Sequence, residues 1–202
     1  MNNLPFSQAC ENNKDAILAV LLEVFGDRQQ VLEIGSGTGQ HATYFASKLT
    51  HLLWQPTEVP QNLHIPRPRI AAYAGDNLLR EQALDVWDEP WQVSIPDAVF
   101  SANTLHIMSF ASVQRLFEVL GDAARETAGV DRILAVYGPF NYGGEYTSES
   151  NARFDRWLAE QHPDSAIRDF EAVNALAQQA GYTLLSDNEM PANNRLLVWK
   201  TA

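Results

Sequence analysis

The chain has 202 residues, 46% of them hydrophobic and 19% charged, with a formal net charge of −11. That length suits one domain with its own core, and the acidic balance argues against nucleic-acid partners, whose phosphates must be met by a basic patch. The 14 Lys and Arg are scattered, Arg67-Pro68-Arg69 being the densest cluster. No apolar run approaches the roughly 20 residues of a membrane span, so no membrane partner is expected. Met1-Asn2-Asn3-Leu4-Pro5 lacks the basic-then-apolar order of a signal peptide, and one cysteine, Cys10, cannot form an internal disulfide. A single cytoplasmic domain over residues 1–202 is the expectation.

In chain order, residues 14–25 read as an amphipathic helix with Ile17, Leu18, Leu21, Leu22 and Phe25 on one face, ended by Gly26-Asp27. Val31-Leu32-Glu33-Ile34 reads as a buried strand entering a glycine cluster, after which Ala42, Phe45, Ala46 and Leu49 recur at helical spacing. Residues 52–56 are strand-like, residues 70–74 hold about one helical turn, and residues 82–86 suggest a third strand. Residues 97–103 make a firmer strand, Val113, Leu116, Phe117, Leu120 and Ala124 mark a long helix, and residues 132–137 form a strand stopped by Gly138-Pro139. A helix around Phe154, Trp157 and Leu158 follows, then one from Asp169, a good N-cap, to the stop at Gly181. Two closing strands, 182–186 and 195–200, are joined by a turn with Pro191 and Asn193-Asn194 and leave no room for a helix between them. The pattern predicts an α/β fold with a doubly wound, mostly parallel seven-stranded sheet ending in an antiparallel hairpin.

The strongest local signal is Glu33-Ile34-Gly35-Ser36-Gly37-Thr38-Gly39, between a strand and a helix. Glycines there permit positive φ and close approach of a ligand to the backbone. A dinucleotide fingerprint would read G-x-G-x-x-G and seat a pyrophosphate on the helix N-terminus. This loop reads G-x-G-x-G with an acid two residues ahead, a pattern similar to that of class I methyltransferases, whose loop passes the methionyl part of S-adenosylmethionine. That resemblance puts Glu33 beside the ligand's ammonium and Gly35, Ser36, Gly37 and Gly39 along the cofactor. Glu58, about 20 residues on, is an acid where nucleotide folds hold ribose hydroxyls. Asp85, with Asp76 as competitor, is a candidate acceptor for an adenine amino group, with Val86 or Trp87 covering the ring. His41 either contacts the cofactor's carboxylate or caps the helix.

Several stretches together resemble one family. They are Val31 through His41, Trp54-Gln55-Pro56-Thr57-Glu58, Ala83-Leu84-Asp85-Val86, Asp97 through Ile107, Tyr137-Gly138-Pro139-Phe140 and Met190-Pro191-Ala192-Asn193-Asn194. The family is domain of unknown function 938, the methyltransferase-like protein 26 family, and the resemblance runs from about Phe6 to Lys200. The family usually has Asp at the position of Glu58 and often Arg at that of Asn12. The resemblance implies a Rossmann-like class I fold, S-adenosylmethionine as cofactor and methyltransferase activity, without an acceptor.

Ligands of a doubly wound sheet sit beyond the carboxyl ends of its strands. His106 is the candidate base or substrate anchor there, with a hydrogen-bonded structural role as its alternative. Asn103 is a candidate cofactor contact and Tyr137 a candidate lining of the acceptor pocket, with packing as the alternative. Asn141, Asn193 and Asn194 are candidate substrate contacts, although asparagine also suits turns for its own hydrogen bonding. No Cys/His cluster has metal-ligand spacing, so no metal is expected. A small-molecule acceptor is the leading expectation. The alternatives are a protein acceptor, a partner-dependent enzyme, a cofactor-binding module without catalysis, and a nicotinamide oxidoreductase.

Overall fold

The computed structural model describes residues 4–127 and 129–201. Seven strands form one mixed sheet in the order β3-β2-β1-β4-β5-β9-β8, and two more pair separately. The chain divides into two compact units, residues 1–101 and 102–202.

The first unit holds α1 (Gln8–Val24), β1 (Gln30–Ile34), α2 (Gln40–Lys48), β2 (Leu53–Glu58), α3 (Arg67–Ala71), β3 (Gln82–Ala83) and β4 (Ala98–Ala102). β1 pairs in parallel with β2 and β4, and β2 with β3. β1 is buried on both faces beyond its first residue, which is why it reads as an unbroken apolar run. Phe45 of α2 meets Phe100 edge-on at 5.4 Å and Trp54 at 5.6 Å, giving an aromatic centre under the glycine loop's helix.

Three elements of this unit differ from their sequence reading, α3 by starting at Arg67 and ending at Ala71 where the sequence predicts a turn over residues 70–74. α1 begins at Gln8, capped by the Ser7 hydroxyl, well ahead of residue 14. Its first turns are polar and carry no apolar period, and contacts from α2 hold them instead. The Gln40 side chain accepts from Ser7 N–H at 2.6 Å and donates to Glu11 at 2.7 Å, and His41 bonds Asn13 at 2.7 Å. β3 is only two residues long because the chain turns at Asp85, whose carboxylate accepts the Trp87 N–H at 3.0 Å.

The second unit holds α4 (Phe110–Glu126), β5 (Ile133–Gly138), β6 (Phe140–Asn141), α5 (Glu149–Gln161), β7 (Arg168–Asp169), α6 (Phe170–Gln179), β8 (Tyr182–Met190) and β9 (Asn194–Thr201). β9 runs antiparallel to both β5 and β8, and the turn Pro191–Asn193 closes the β8–β9 hairpin. Its Leu196, Leu197, Val198 and Trp199 are all fully buried. α4 and α6 approach closely at Gly121, where a Cβ would stand 2.9 Å from the Ala180 Cα. The small parallel pair β6–β7 has no sequence signature, since two residues a side give no period to read.

Candidate functional site

In the first unit, β1 delivers its last residues into a loop in which Gly35, Gly37 and Gly39 all have positive φ, +75°, +53° and +73°. At Gly37 a Cβ would meet nothing within 4 Å, so the glycine answers to backbone conformation and leaves open space beside the main chain. The loop is tied to β2 by the Ser36 N–H, which donates to the Thr57 carbonyl at 2.8 Å. Two acids face this loop. Glu33 is buried, and its Oε2 accepts from the Trp54 indole at 3.0 Å and the Ser36 hydroxyl at 2.9 Å. Burial pushes its carboxyl up to about 7, against those two hydrogen bonds and with a smaller push from the charge of Glu58.

Glu58 ends β2 half-buried. Its Oε2 accepts the Gly37 N–H at 2.8 Å and its Oε1 the Val59 N–H at 3.0 Å. A carboxylate has about four lone-pair sites, so two main-chain bonds leave room for two further donors. A strand-end acid is thus fastened to the middle of the glycine loop, 21 residues away in sequence.

The Leu84 N–H donates to the Glu58 carbonyl at 2.9 Å, and Asp85 and the buried Val86 follow directly after Leu84 in the chain. Asp85 spends one oxygen on its own turn, as described above. His41 is buried, stacks on Phe45 at 5.2 Å and bonds Asn13. Gly39 is the residue at the N-cap of α2, with no side-chain cap bond, so His41 does not cap the helix. Desolvation lowers its pKa to about 4, leaving the ring neutral at pH 7.

In the second unit, Asn103 has φ +56°, a left-handed backbone that asparagine tolerates better than most residues. Its N–H donates to the Tyr137 carbonyl at 2.8 Å. His106, just beyond, is buried, with Nδ1 3.6 Å from where a Cβ on Gly138 would stand and its ring edge-on to Phe154 at 5.3 Å. Desolvation, with a smaller contribution from the Arg168 charge, lowers its pKa to about 4. An imidazole titrates near physiological pH when it is in water, and this ring is not. At pH 7 the ring is neutral and suited to orienting a donor by accepting its hydrogen bond; as a base it is weak.

Tyr137 is buried in β5 opposite Leu196 of β9. Asn141 is buried in β6, and its Oδ1 has no hydrogen-bond partner among the described residues, an unmet acceptor beside the strand end. Asn193, with φ +57°, and Asn194 lie in the β8–β9 turn. The Asn193 carbonyl accepts from Asn151 at 3.1 Å, and the Asn194 side chain donates to the Pro191 carbonyl at 3.1 Å.

The structure thus gathers Glu33, Ser36, Gly37 and Glu58 in the first unit, and Asn103, Tyr137 and His106 in the second. Sequence reasoning missed Trp54, Asn13 and Arg168. Trp54 stands 21 residues from Glu33, and nothing local marks its indole as the partner of that acid. Among the described residues no group of three or more His, Cys, Asp or Glu can hold a metal ion, and no helix is long and apolar enough to cross a membrane.

The sequence profile of a family described as "Protein of unknown function (DUF938)" matches residues 4–201, and the chain belongs to that family. Among solved structures it is similar to an O-methyltransferase family protein from Burkholderia thailandensis, with TM-score 0.77 and 16% identity over 94% of this chain and 56% of that one. It is also similar to the S-adenosylmethionine-dependent methyltransferase SibL in its apo form, with TM-score 0.74 and 20% identity over 96% of this chain and 55% of that one. A third is PigF with SAH, at TM-score 0.71 and 15% identity over 92% and 61%. The chain therefore spans a little over half the length of these structures. The fold is the Rossmann-like fold of class I methyltransferases.

Proposed function

We propose that this member of the DUF938 family is an S-adenosylmethionine-dependent methyltransferase acting on a small-molecule acceptor. The observation that carries the reading is the bond from the Gly37 N–H to the Glu58 carboxylate, which fastens a strand-end acid to a G-x-G-x-G loop with left-handed glycines. A loop built for close backbone approach, with a carboxylate beside it that has acceptor capacity to spare, suits a nucleoside with adjacent hydroxyls. The likeness to the S-adenosylmethionine-dependent methyltransferase SibL and to PigF with SAH supports the choice of nucleoside.

On this reading Glu33 holds the ammonium of the methionyl part, and Gly35, Ser36, Gly37 and Gly39 line it. Glu58 accepts from the ribose hydroxyls, and Asp85 accepts from the adenine amino group with Val86 against the ring. His41 serves the site through Asn13 and the packing of α2, and Asn103 offers a further contact to the cofactor. Bound S-adenosylmethionine supplies a methyl group on a sulfonium leaving group. The chain's own task is to hold the acceptor in line, and positioning alone can contribute several kcal/mol to the rate. The neutral His106 ring accepts a hydrogen bond from the acceptor's O–H or N–H, Tyr137 lines the acceptor pocket, and Asn141, whose Oδ1 is unmet, accepts a second donor. Asn193 and Asn194 contribute from the hairpin turn.

Calorimetry with S-adenosylhomocysteine and with NAD tests the cofactor class. Binding of S-adenosylhomocysteine at about micromolar Kd, near −8 kcal/mol, is the expected result. Binding of NAD without binding of S-adenosylhomocysteine overturns the reading. The acceptor is then sought by following a labelled methyl group into small molecules of a cell extract.

A further inference from the structure

The second unit contains a buried cation that meets no carboxylate. Arg168, the first residue of β7, is buried, and every hydrogen bond of its guanidinium among the described residues goes to a main-chain carbonyl. Nε donates to Leu105 at 3.1 Å, and one terminal nitrogen donates to Met108 and, at 2.8 Å, to Asp164. The Phe110 ring lies 5.9 Å from the guanidinium carbon. A charge held this way is costly unless its donors are fully used, and the planar fork of arginine suits several carbonyls at once where a lysine would reach one.

The neighbours of Arg168 complete the pattern. The Ala166 N–H donates to the His106 carbonyl at 3.0 Å, and the Ser165 hydroxyl donates to the Ile107 carbonyl at 2.8 Å. Four consecutive carbonyls, those of residues 105, 106, 107 and 108, are therefore captured by residues 165–168. The loop they belong to carries His106, and its own turn adds bonds from the Ile107 and Met108 N–H groups to the Thr104 carbonyl. Ordinary surface loops do not surrender every carbonyl of a four-residue run, and a run that does is fixed in position and in the direction of its side chains.

We propose that residues 165–168 form a clamp, with Arg168 at its centre, that fixes the loop after β4 and so makes Arg168 a positioning residue for the His106 imidazole. The significance of the clamp for methyl transfer rests on the function proposed above, but its existence does not. It holds the ring against Phe154 and over Gly138, where water is excluded. The carboxylates whose charge acts on the guanidinium are Asp155 and Asp164: Asp155 accepts from Ile167 N–H at 2.6 Å and from the Tyr146 hydroxyl at 2.7 Å, and Asp164 is exposed beside His162.

The test follows the imidazole by NMR titration of the full chain without ligand, with the His106 resonances assigned through H106Q, and follows amide hydrogen exchange at Ala166. Three variants are compared with the parent: R168Q removes charge and fork, R168K keeps charge without the fork, and S165A removes one tie of the clamp. In the parent, His106 stays neutral and in one tautomer down to about pH 5. R168Q should raise its titration midpoint by roughly a pH unit or more as water reaches the ring, and speed Ala166 exchange roughly tenfold or more, with amides in the middle of β9 unchanged. R168K should speed the exchange with a smaller movement of the midpoint, and S165A should speed it roughly threefold or more. An unmoved midpoint and unmoved Ala166 exchange in R168Q, whatever happens to its melting temperature, overturn the proposal. If R168Q does not fold, unmoved exchange in both R168K and S165A overturns it equally. No cofactor enters this test, so failure to bind S-adenosylhomocysteine and failure of the clamp are separate results.

Discussion

Glu33→Gln isolates the charge of the buried acid from its shape. Both donors to Glu33, the Trp54 indole and the Ser36 hydroxyl, reach the same oxygen, Oε2. A glutamine presents its carbonyl oxygen there, keeps both bonds and loses only the charge. The sign of the effect follows from the raised pKa. Between the ordinary 4.5 of the unfolded chain and about 7 in the native state, the folded protein holds a proton that the unfolded chain has released, so stability falls as pH rises through that window. Above pH 7 the whole penalty stands. The displacement from 4.5 to about 7 corresponds to about 3 kcal/mol of stability. In a chain of this size that is roughly 6–12 °C in Tm.

Glu33→Gln should therefore melt several degrees higher than the parent at pH 8 and close to it at pH 5, in thermal unfolding at matched ionic strength. His41 and His106, both held near 4, weaken the fold as pH falls from 6.5 towards 4, but they do so in parent and variant alike and cancel in the difference. The same variant should bind S-adenosylhomocysteine at pH 8 at least about tenfold more weakly, since a charge-assisted bond to the ligand's ammonium is lost. A stabilised protein that binds worse marks an acid kept for function. A variant that melts lower than the parent at pH 8, or whose gain is the same at pH 5, refutes the reasoning about Glu33.

Glu58→Ala should cost about 1–3 kcal/mol of S-adenosylhomocysteine affinity in calorimetry with little change in Tm, because it removes an acceptor for two hydroxyls from a half-buried strand end; an unchanged Kd would reduce Glu58 to a tie for the Gly37 N–H. His106→Ala should lower turnover by about 100-fold, through loss of acceptor positioning, while cofactor affinity is kept, and joint loss of melting temperature and cofactor binding would make the ring structural. Asn103→Gly relieves a left-handed backbone and should raise urea resistance by about 0.5–1 kcal/mol at unchanged m while weakening cofactor binding; stabilisation with full binding would show that the side chain is dispensable.

What was legible in the sequence is what is local. The strand into the glycine loop, the helix after it and the spacing to Glu58 lie within one strand–helix–strand run, and apolar period with glycine punctuation is enough to read them. The closing hairpin was legible for the same reason, since the eight residues 187–194 between the two expected strands cannot hold a crossover helix. The illegible parts depend on residues distant in sequence. α1 gains its first turns from Gln40 and His41, 33 and 28 residues away from their partners. The neutral state of His106 depends on burial against Phe154 and on Arg168, which binds a carbonyl 63 residues away. β3 ends three residues before the expected Val86 because the Asp85 carboxylate turns the chain, a local effect that the apolar pattern masks.

The two units reach the same backbone conformation by different means, and the difference bears on what each contributes. In the first, the left-handed positions of the loop are all glycine, which costs no steric strain and leaves the main chain itself as the surface a ligand meets. In the second, the left-handed residues outside its glycines are Asn103, Ala192 and Asn193, each bearing a Cβ at a cost of about 1 kcal/mol. Two of the three are held there by bonds made elsewhere: Asn103 by its N–H to the Tyr137 carbonyl, Asn193 by its carbonyl to Asn151. Glycine would remove the strain at either place and would also remove an amide side chain. Strain that is maintained by tertiary bonds at the end of a strand, where α/β sheets keep their ligands, is accounted for if the side chain is the part in use. The loop of the first unit thus presents main chain, and the left-handed positions outside glycine in the second present side chains.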